Sequence, residues 1–275
     1  MRPVCDVIGC RDCGLIQRAP RPAGPGTVRC LRCDRVLERN AGRSLDGALA
    51  CALTTLILLF PANLLPLLRT DILQASNRSF LLSGFAGFWG QHWQLVAVIA
   101  AAEVVFLPFV RFGLLSAVLI AVKAGSQGRW LGPAFRWSEL LDQWAMLDIF
   151  LIAGGIGYCR VAPYLPVYIE AGGWCLIAAS LMTLVTRATL ERRELWRRIG
   201  PVVEDAQPAT IVCTGCDLPL AAQRVGRRCP RCAAKVWVRR PHALMRMAAL
   251  AAAALVFYPA AYLYPMEYSQ QLNRL

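Results

Sequence analysis

The organisation of this chain is visible in one stretch: Cys10-Arg-Asp-Cys13, then Cys30-Leu-Arg-Cys33, then apolar residues from Ala48 to Leu68. Two CxxC pairs in this arrangement are typical of a zinc ribbon, in which each pair is a knuckle at the tip of a hairpin. The apolar run has the roughly 20 residues that a helix needs to cross a hydrocarbon core of about 30 Å. The sequence therefore predicts a small metal-held unit that leads into a membrane helix.

The same plan returns near the end of the chain. Cys213-Thr-Gly-Cys216 and Cys229-Pro-Arg-Cys232 precede a second apolar run, Ala243 to Tyr264. The second CxxC pair and the first proline of the following helix recur at offsets of 199 and 198 residues. Such a nearly constant offset predicts an internal repeat. We expect the second copy to be truncated after its first helix.

The composition indicates a membrane protein. Hydrophobic residues make up 57% of the chain and its mean hydropathy is +0.45, above the range of ordinary soluble domains. The alternating polarity of barrel strands is missing. We therefore predict an all-α polytopic membrane protein with about five transmembrane helices and two small cytoplasmic zinc ribbons. The predicted helices are roughly 46–68, 93–122, 144–161, 172–189 and 243–263, with an extramembrane loop at 69–91 and a short turn before the fourth helix.

Changes in composition divide the chain into four parts. Polar, cysteine-rich stretches alternate with apolar ones, and the boundaries fall where charged or proline-rich residues begin. The predicted domains are zinc ribbon 1 at 1–43, a four-helix transmembrane module at 44–199, zinc ribbon 2 at 200–241, and a single transmembrane helix with a tail at 242–275.

The basic residues report the orientation in the membrane. The chain has 30 Lys and Arg against 17 Asp and Glu, a net charge of +13. Of the 30, 24 lie in the stretches 1–47, 123–136 and 187–240, which are alternate loops between the predicted helices. Because cytoplasmic loops are enriched in Lys and Arg, this predicts cytoplasmic ribbons and, after five crossings, a periplasmic C-terminus. The charge is explained by topology, so no nucleic-acid partner is expected.

Eight of the twelve cysteines form the four CxxC pairs and are candidate metal ligands. On the reducing side of a membrane, this spacing favours metal ligation over disulfides, and we predict two Zn²⁺ sites. Four thiolates close the coordination shell and leave no open position for catalysis. A rubredoxin-like iron site, a redox dithiol and a ribbon without metal are the alternatives. The predicted ligands are Cys10, Cys13, Cys30, Cys33, Cys213, Cys216, Cys229 and Cys232.

Polar residues and prolines inside the apolar runs are candidates for a lipid path or gate. A proline removes a helix hydrogen bond, and the amide of Asn63 is placed to bond a freed carbonyl. Ionisable groups at membrane depth are expensive unless paired. The competing interpretations are kinks that only serve helix packing and, for Asp148, ion pairing at the start of a helix. The candidates are Pro61, Asn63, Pro66, Glu103, Arg111 and Asp148.

Three tryptophans and a set of missing motifs complete the prediction. Trp130, Trp137 and Trp144 are spaced as an amphipathic segment at the membrane interface. A nucleophile elbow, a phosphate-binding loop and an HExxH motif are all missing from the sequence. We therefore expect no enzymatic activity.

Three stretches resemble one known family. They are Phe60-Pro-Ala-Asn-Leu-Leu-Pro66, Gln143-Trp-Ala-Met-Leu-Asp-Ile-Phe150 and Leu190-Glu-Arg-Arg-Glu-Leu-Trp196, which follow the ribbon in this order. Together they are similar to the paraquat-inducible protein A family, whose members have two tandem modules of a zinc ribbon and four membrane helices. That family has a lysine after the proline of the second helix, where this chain has Arg111.

The resemblance implies a function. It implies a subunit of the bacterial inner membrane that works beside a periplasmic MCE protein and moves phospholipid between the inner and outer membranes. A further chain that completes the second module would be another partner. The alternative hypothesis is a membrane-anchored zinc or thiol stress sensor, or an interaction protein, in which the helices serve only as the anchor.

Overall fold

The computed structural model describes residues 5–10, 12–20, 26–40, 45–72, 75–90, 92–200, 211–237 and 243–263. They fall into two compact units, Met1–Val236 and Trp237–Leu275. Helices dominate the described residues, and four small antiparallel sheets accompany them.

The first cysteine-rich stretch is a pair of hairpins. Strands β1 (Cys5–Gly9) and β2 (Ile16–Pro20) form one, and β3 (Gly26–Arg29) and β4 (Val36–Asn40) form the other. The side chain of Gln17 joins them: its Nε2 donates to the Arg29 carbonyl at 3.0 Å, and its Oε1 accepts from the Leu31 N–H at 3.0 Å. We call these two hairpins ribbon 1.

Three helices of the described chain are long and apolar enough to cross a membrane. They are α1 (Leu45–Leu64), a 30-residue helix at Gln94–Lys123, and α7 (Ala171–Thr189). The 30-residue helix, here the long helix, is built from α3 (Gln94–Ala101), a π-helical turn (Ala102–Phe106) and α4 (Leu107–Lys123). The predicted third crossing is α6 (Leu147–Val161), which has 15 residues and begins three residues later than expected.

The sequence prediction of a loop after α1 and a simple turn after α6 was wrong in its secondary structure. Instead of a loop and a turn, the chain forms β5 (Leu68–Ile72), β6 (Ala75–Ser79), α2 (Leu81–Gly90) and β7 (Val167–Ile169). The strands make one antiparallel sheet in the order β6-β5-β7. Helix α1 ends at Leu64 rather than Leu68, because the residue before a proline is disfavoured in the helical conformation and Pro66 follows closely.

The start of α7 forms backbone hydrogen bonds with the segment that follows α1. The Pro66 carbonyl accepts the Gly172 N–H at 3.0 Å, and the Leu67 carbonyl accepts the Glu170 N–H at 3.0 Å. These bonds give partners to two backbone carbonyls of the segment that directly follows α1. A Cβ on Gly172 would lie 2.5 Å from the Leu65 carbonyl oxygen, so only glycine allows this approach.

The remaining elements of the first unit pack at the other end of α7. They are α5 (Leu131–Leu141), α8 (Arg192–Ile199), strands β8 (Ile211–Val212) and β9 (Pro219–Leu220), and a short 3₁₀ turn at Ala222–Arg224. The residues from β8 to Val236 are called ribbon 2. One apolar core runs from the membrane helices through Phe135 and Trp196, whose ring centroids are 4.8 Å apart, into ribbon 2.

The second unit contains α9 (Ala243–Leu263), with Pro259 inside it. The side chains described along this helix are exposed, and its described apolar portion is Leu244–Pro259. The predicted C-terminal tail lies outside the described residues.

Candidate metal centres and the charged network beside them

The eight CxxC sulfur atoms meet as two quartets. In each quartet the ligand atoms all lie within 4.8 Å of one another. In ribbon 1 the Sγ–Sγ distances are 3.6 Å for Cys10 and Cys33 and 3.5 Å for Cys13 and Cys30. In ribbon 2 they are 3.6 Å both for Cys213 and Cys232 and for Cys216 and Cys229. A tetrahedral zinc with bonds of about 2.3 Å requires sulfurs about 3.8 Å apart, so the residues fit such an ion.

The four CxxC knuckles share one backbone geometry. The N–H of each first cysteine donates to the carbonyl five residues later, at 2.7–2.9 Å, and that cysteine's carbonyl accepts the N–H four residues later, at 2.9–3.0 Å. The residue after each second cysteine has φ between 53° and 70°, in the left-handed region. These residues are Gly14, Asp34, Asp217 and Ala233.

Ala233 is the knuckle residue least suited to this conformation, since a Cβ in the left-handed region costs roughly 1–2 kcal/mol. Replacement of Ala233 by glycine relieves this cost, less the extra chain entropy of glycine, for a net gain of about 0.5–1 kcal/mol. We expect ribbon 2 to release its metal about two to five times more slowly in Ala233→Gly, measured by chelator competition. Gly14→Ala is the matched variant and should speed release from ribbon 1. Unchanged release in both variants would contradict the knuckle geometry.

Backbone N–H groups also act on the cysteine sulfurs. The Arg32 N–H donates to Cys30 Sγ at 3.5 Å. Together with the Cys33 N–H, it lowers the pKa of Cys30 to about 6. Because a thiolate is the metal-binding form of cysteine, these bonds favour the state that a ribbon ligand requires.

The two quartets differ in exposure. All four cysteines of ribbon 2 are buried and belong to the apolar core that includes Phe135 and Trp196. In ribbon 1, Cys10 and Cys30 are buried, Cys13 is half-buried and Cys33 is exposed. Solvent therefore reaches one centre and is kept from the other.

Ribbon 2 is fixed to α5 and α8 by arginines. Arg192 of α8 donates to the Gly215 carbonyl at 2.7 Å, and its guanidinium also pairs with Glu139 of α5 and with Asp217 of ribbon 2. Arg231 of ribbon 2 donates to the Gly200 carbonyl at 2.7 Å. The CxxC knuckles of ribbon 2 are thereby tied to α5 and α8, the helices that follow the long helix and α7.

Backbone contact reinforces this docking. Gly132 of α5 lies so close to the Arg231 carbonyl oxygen that a Cβ on Gly132 would overlap it. We expect Gly132→Ala to destabilise the docked arrangement by about 1–3 kcal/mol, because the neighbouring atom is backbone and yields little. The measurement is the alkylation rate of the ribbon 2 cysteines, which should rise. Gly113→Ala, which meets open space, is the control, and equal rates in the two variants would count against the contact.

Ribbon 1 contacts both α8 and ribbon 2. Glu38 of β4 pairs with Arg197 and, at 3.6 Å, with Arg193. Gly9 at the end of β1 packs against Val212 so closely that a Cβ there would overlap the valine side chain. The two ribbons are therefore neighbours on one end of the helical unit.

A network of four charges lies beside the ribbons. Arg111 of α4 pairs with Asp142 Oδ1 at 2.5 Å, and Arg187 of α7 pairs with the same oxygen at 2.9 Å. Arg187 also reaches Asp148 in the first turn of α6, at 3.0 Å. Arg111 is only 5% exposed and lies against the Phe112 ring, with 4.6 Å from its Cζ to the centroid. The network joins α4, α6 and α7 to the end of α5.

Comparison with known families identifies the helical unit. The Paraquat-inducible protein A family, PqiA, matches residues 45–200, which is more than half of the chain and includes all four charges of the network. The chain belongs to this family.

Named relatives agree with this assignment. Lipophilic envelope-spanning tunnel protein A of Escherichia coli (strain K12) is 29% identical over 272 residues, covering 94% of this chain and 60% of that protein. Intermembrane transport protein PqiA of the same strain is 26% identical over 193 residues, covering 69% and 44%. A Probable intermembrane transport protein of Haemophilus influenzae is 23% identical over 172 residues, covering 62% and 41%. The chain thus spans about 60% or less of these relatives, and no solved structure matches it.

Within the PqiA match, the proline-rich end of α1 differs in detail from the sequence prediction. Asn63 Nδ2 donates to the Leu59 carbonyl at 2.8 Å. The carbonyl freed by Pro61 belongs to Ile57, so the amide does not bond the carbonyl freed by that proline. Asn63 Oδ1 is buried and has no partner in the described chain. Pro66 lies beyond the helix, where its carbonyl accepts from α7.

Glu103 lies apart from the charged network of this PqiA member. It is in the π-helical turn, half-buried, and makes no hydrogen bond or ion pair with the described residues. The structure therefore brings Arg111 and Asp148 together through Arg187 and Asp142, and leaves Glu103 and Asn63 outside. Sequence reasoning missed Asp142 and Arg187. Their signal was an acidic and a basic residue at the ends of two predicted membrane segments, where each needs a partner.

Proposed function

We propose that this chain is an inner-membrane subunit of an MCE-type lipid transport system that hands phospholipid to a periplasmic MCE partner. Membership of the PqiA family carries the proposal, since the related proteins are named for intermembrane transport and for an envelope-spanning tunnel. Three helices long and apolar enough to cross a membrane support it. Four thiolates per ribbon leave no open coordination position, so a non-enzymatic role fits the chain.

The proposed topology has five crossings, with both ribbons in the cytoplasm and the C-terminus in the periplasm. α6 spans only about 22 Å at 1.5 Å per residue, so it needs local thinning of the bilayer or the turn that follows it. The ion pairs of Glu38 and Arg192 support a common side for both ribbons, because they attach both to α8. A reducing cytoplasm suits the proposed zinc ligands.

The proposed lipid path follows the proline-containing end of α1. There Phe60 of α1 and Phe109 of α4 make an edge-on contact, with ring centroids 5.0 Å apart. Pro61 follows Phe60 directly, and the unpaired Asn63 Oδ1 lies less than one turn further. An aromatic pair beside a proline and an unsatisfied amide favours a place where α1 and the long helix separate to admit a lipid chain. Glu103, which has no partner among the residues that the structure describes, is the polar group that this path would expose.

Photocrosslinking tests the proposal. A photoreactive residue at position 63 should form a lipid adduct in membranes, and the yield should change when the MCE partner is deleted. Position 57 is the control: Ile57 is 66% exposed on the same helix and should label bulk lipid whether or not the partner is there. Failure to form an adduct at position 63 in either strain, with labelling at position 57 intact, would overturn the lipid path.

The alternative is a membrane-anchored zinc or thiol stress sensor. The exposure of Cys33 is the observation that favours it. In that case, alkylation of the cysteines would change signalling, and a deletion strain would keep normal lipid asymmetry. Loss of asymmetry in the deletion strain would favour transport instead.

A further inference from the structure

We propose that Cys33 is a peroxide-reactive modification site, and that its oxidation opens ribbon 1 while ribbon 2 stays closed. The inference rests on the zinc sites proposed above. It concerns a property that the related proteins' names do not include: the two centres of one chain would differ in function, one permanent and one responsive.

Access to sulfur separates the two centres. Cys33 is exposed, and Leu31 beside it in the same knuckle is 84% exposed, so a small oxidant reaches this sulfur from solvent. In ribbon 2, Cys213 and Cys232 have no exposed surface, and Gly215 approaches Cys232 so closely that a Cβ there would lie 3.0 Å from its sulfur. Because an oxidant must reach the sulfur from solvent, the exposed quartet reacts first.

A resolving cysteine is within reach of Cys33. Cys10 Sγ lies 3.6 Å from Cys33 Sγ and is itself fully buried, so it is protected from direct attack. Hydrogen peroxide oxidises the Cys33 thiolate to a sulfenic acid and releases one hydroxide. The Cys10 thiolate then attacks the sulfenic sulfur, forms the disulfide and displaces a second hydroxide. The two thiolates together lose two electrons, the peroxide gains them, and its two oxygens leave as two hydroxide ions that the buffer protonates.

The disulfide removes two of the four ligands of ribbon 1. Cys13 and Cys30 alone cannot close a tetrahedral shell, so the metal leaves this ribbon. The two hairpins are small, and the polar contacts described between them, from Gln17, Arg32 and the Arg35–Asp12 pair, are exposed, so their relative position depends on the shared centre. Oxidation therefore loosens ribbon 1 as a unit.

The change reaches the membrane unit through Glu38. This carboxylate is 10% exposed in the docked ribbon and pairs with Arg193 and Arg197 of α8. The same helix holds ribbon 2 through Arg192 and follows α7 directly. Opening of ribbon 1 withdraws Glu38 from α8, while Arg192 keeps ribbon 2 in place.

The experiment uses the full chain in detergent, with its zinc content measured first. Hydrogen peroxide is added in the presence of a chromogenic chelator, and the products are mapped by mass spectrometry. We expect one zinc equivalent to leave at least ten times faster than the other, with a Cys10–Cys33 disulfide formed and Cys213 and Cys232 still reduced. Cys232→Ser, which is expected to lose only the ribbon 2 zinc, should keep the fast phase and the Cys10–Cys33 disulfide.

Several results would overturn the inference. Two equivalents that leave at one rate, or a ribbon 2 disulfide that forms as fast as Cys10–Cys33, would show that exposure does not separate the centres. These outcomes would leave the proposed zinc sites intact. Purified protein without zinc would instead remove the metal sites, and this inference with them. The wild-type kinetics and peptide map suffice even if a serine variant fails to fold.

Discussion

Replacement of Asp142 by alanine is expected to destabilise the helical unit by about 3 kcal/mol. Asp142 Oδ1 is the shared acceptor of Arg111 and Arg187, and the Arg111 side chain is only 6% exposed. Removal of the carboxylate leaves a buried guanidinium without its counter-charge, which typically costs 3–5 kcal/mol. We expect a loss at the low end of this range of free energies, because the Asp142 side chain is 35% exposed and solvent reaches it. Thermal unfolding in detergent measures the loss.

A matched variant separates burial from charge. Asp71→Ala removes the partner of Arg69 in an ion pair whose side chains are 41% and 37% exposed, and should change stability by less than about 1 kcal/mol. The double variant Arg111→Met with Asp142→Ala should regain most of the lost stability, because it has no unpaired buried charge. An Asp142→Ala protein as stable as Asp71→Ala would show that Arg111 does not depend on this partner.

Gly172→Val is expected to be at least as damaging, at about 3 kcal/mol or more. A Cβ at this position meets the Leu65 and Pro66 carbonyl oxygens at 2.5 and 2.7 Å, and both are backbone atoms fixed by the end of α1. A side chain there must push α7 away from α1 and break the hydrogen bond from Gly172 to Pro66. Since α1 and α7 are two of the three helices in the described residues that are long enough to cross a membrane, the change should lower both the yield and the melting temperature.

The control for this prediction is another glycine with open space around it. Gly155→Val on α6 places its Cβ where nothing lies within 4 Å. Both changes carry the same β-branched cost in a helix, so their difference isolates the contact with α1. If the two variants melted together, the close approach of α1 and α7 would be wrong.

Patterns local in sequence were predictable. The CxxC spacing predicted two quartets of cysteines, and the sulfur atoms do meet in two quartets. The apolar run before Pro66 predicted α1 to within a few residues. The four knuckles adopt the left-handed conformation after the second cysteine, and Gly14, Asp34 and Asp217 are residue types that favour it, whereas Ala233 gives no such signal. Hydrogen bonds of the knuckle impose that conformation on Ala233 at a cost.

Features that join distant residues were not predictable. β5 pairs with β7 about 100 residues later, as Arg69 with Tyr168, and no local pattern announces such a pairing. Asp142 and Arg187 are 45 residues apart in sequence. Each is typical of a charge at a membrane interface, and their pairing depends on the packing of α5 near α7. The contact of Gly132 with Arg231 depends on the docking of ribbon 2, which a single sequence does not encode as a period or a motif.

Two four-thiolate centres that hold the ribbons against the ends of the membrane helices require two metal ions in each chain. Elemental analysis of the purified full chain against protein concentration measures this zinc content. We expect two equivalents per chain, and about one in Cys33→Ser and in Cys232→Ser. Purified, folded wild-type protein with no stoichiometric metal would contradict it.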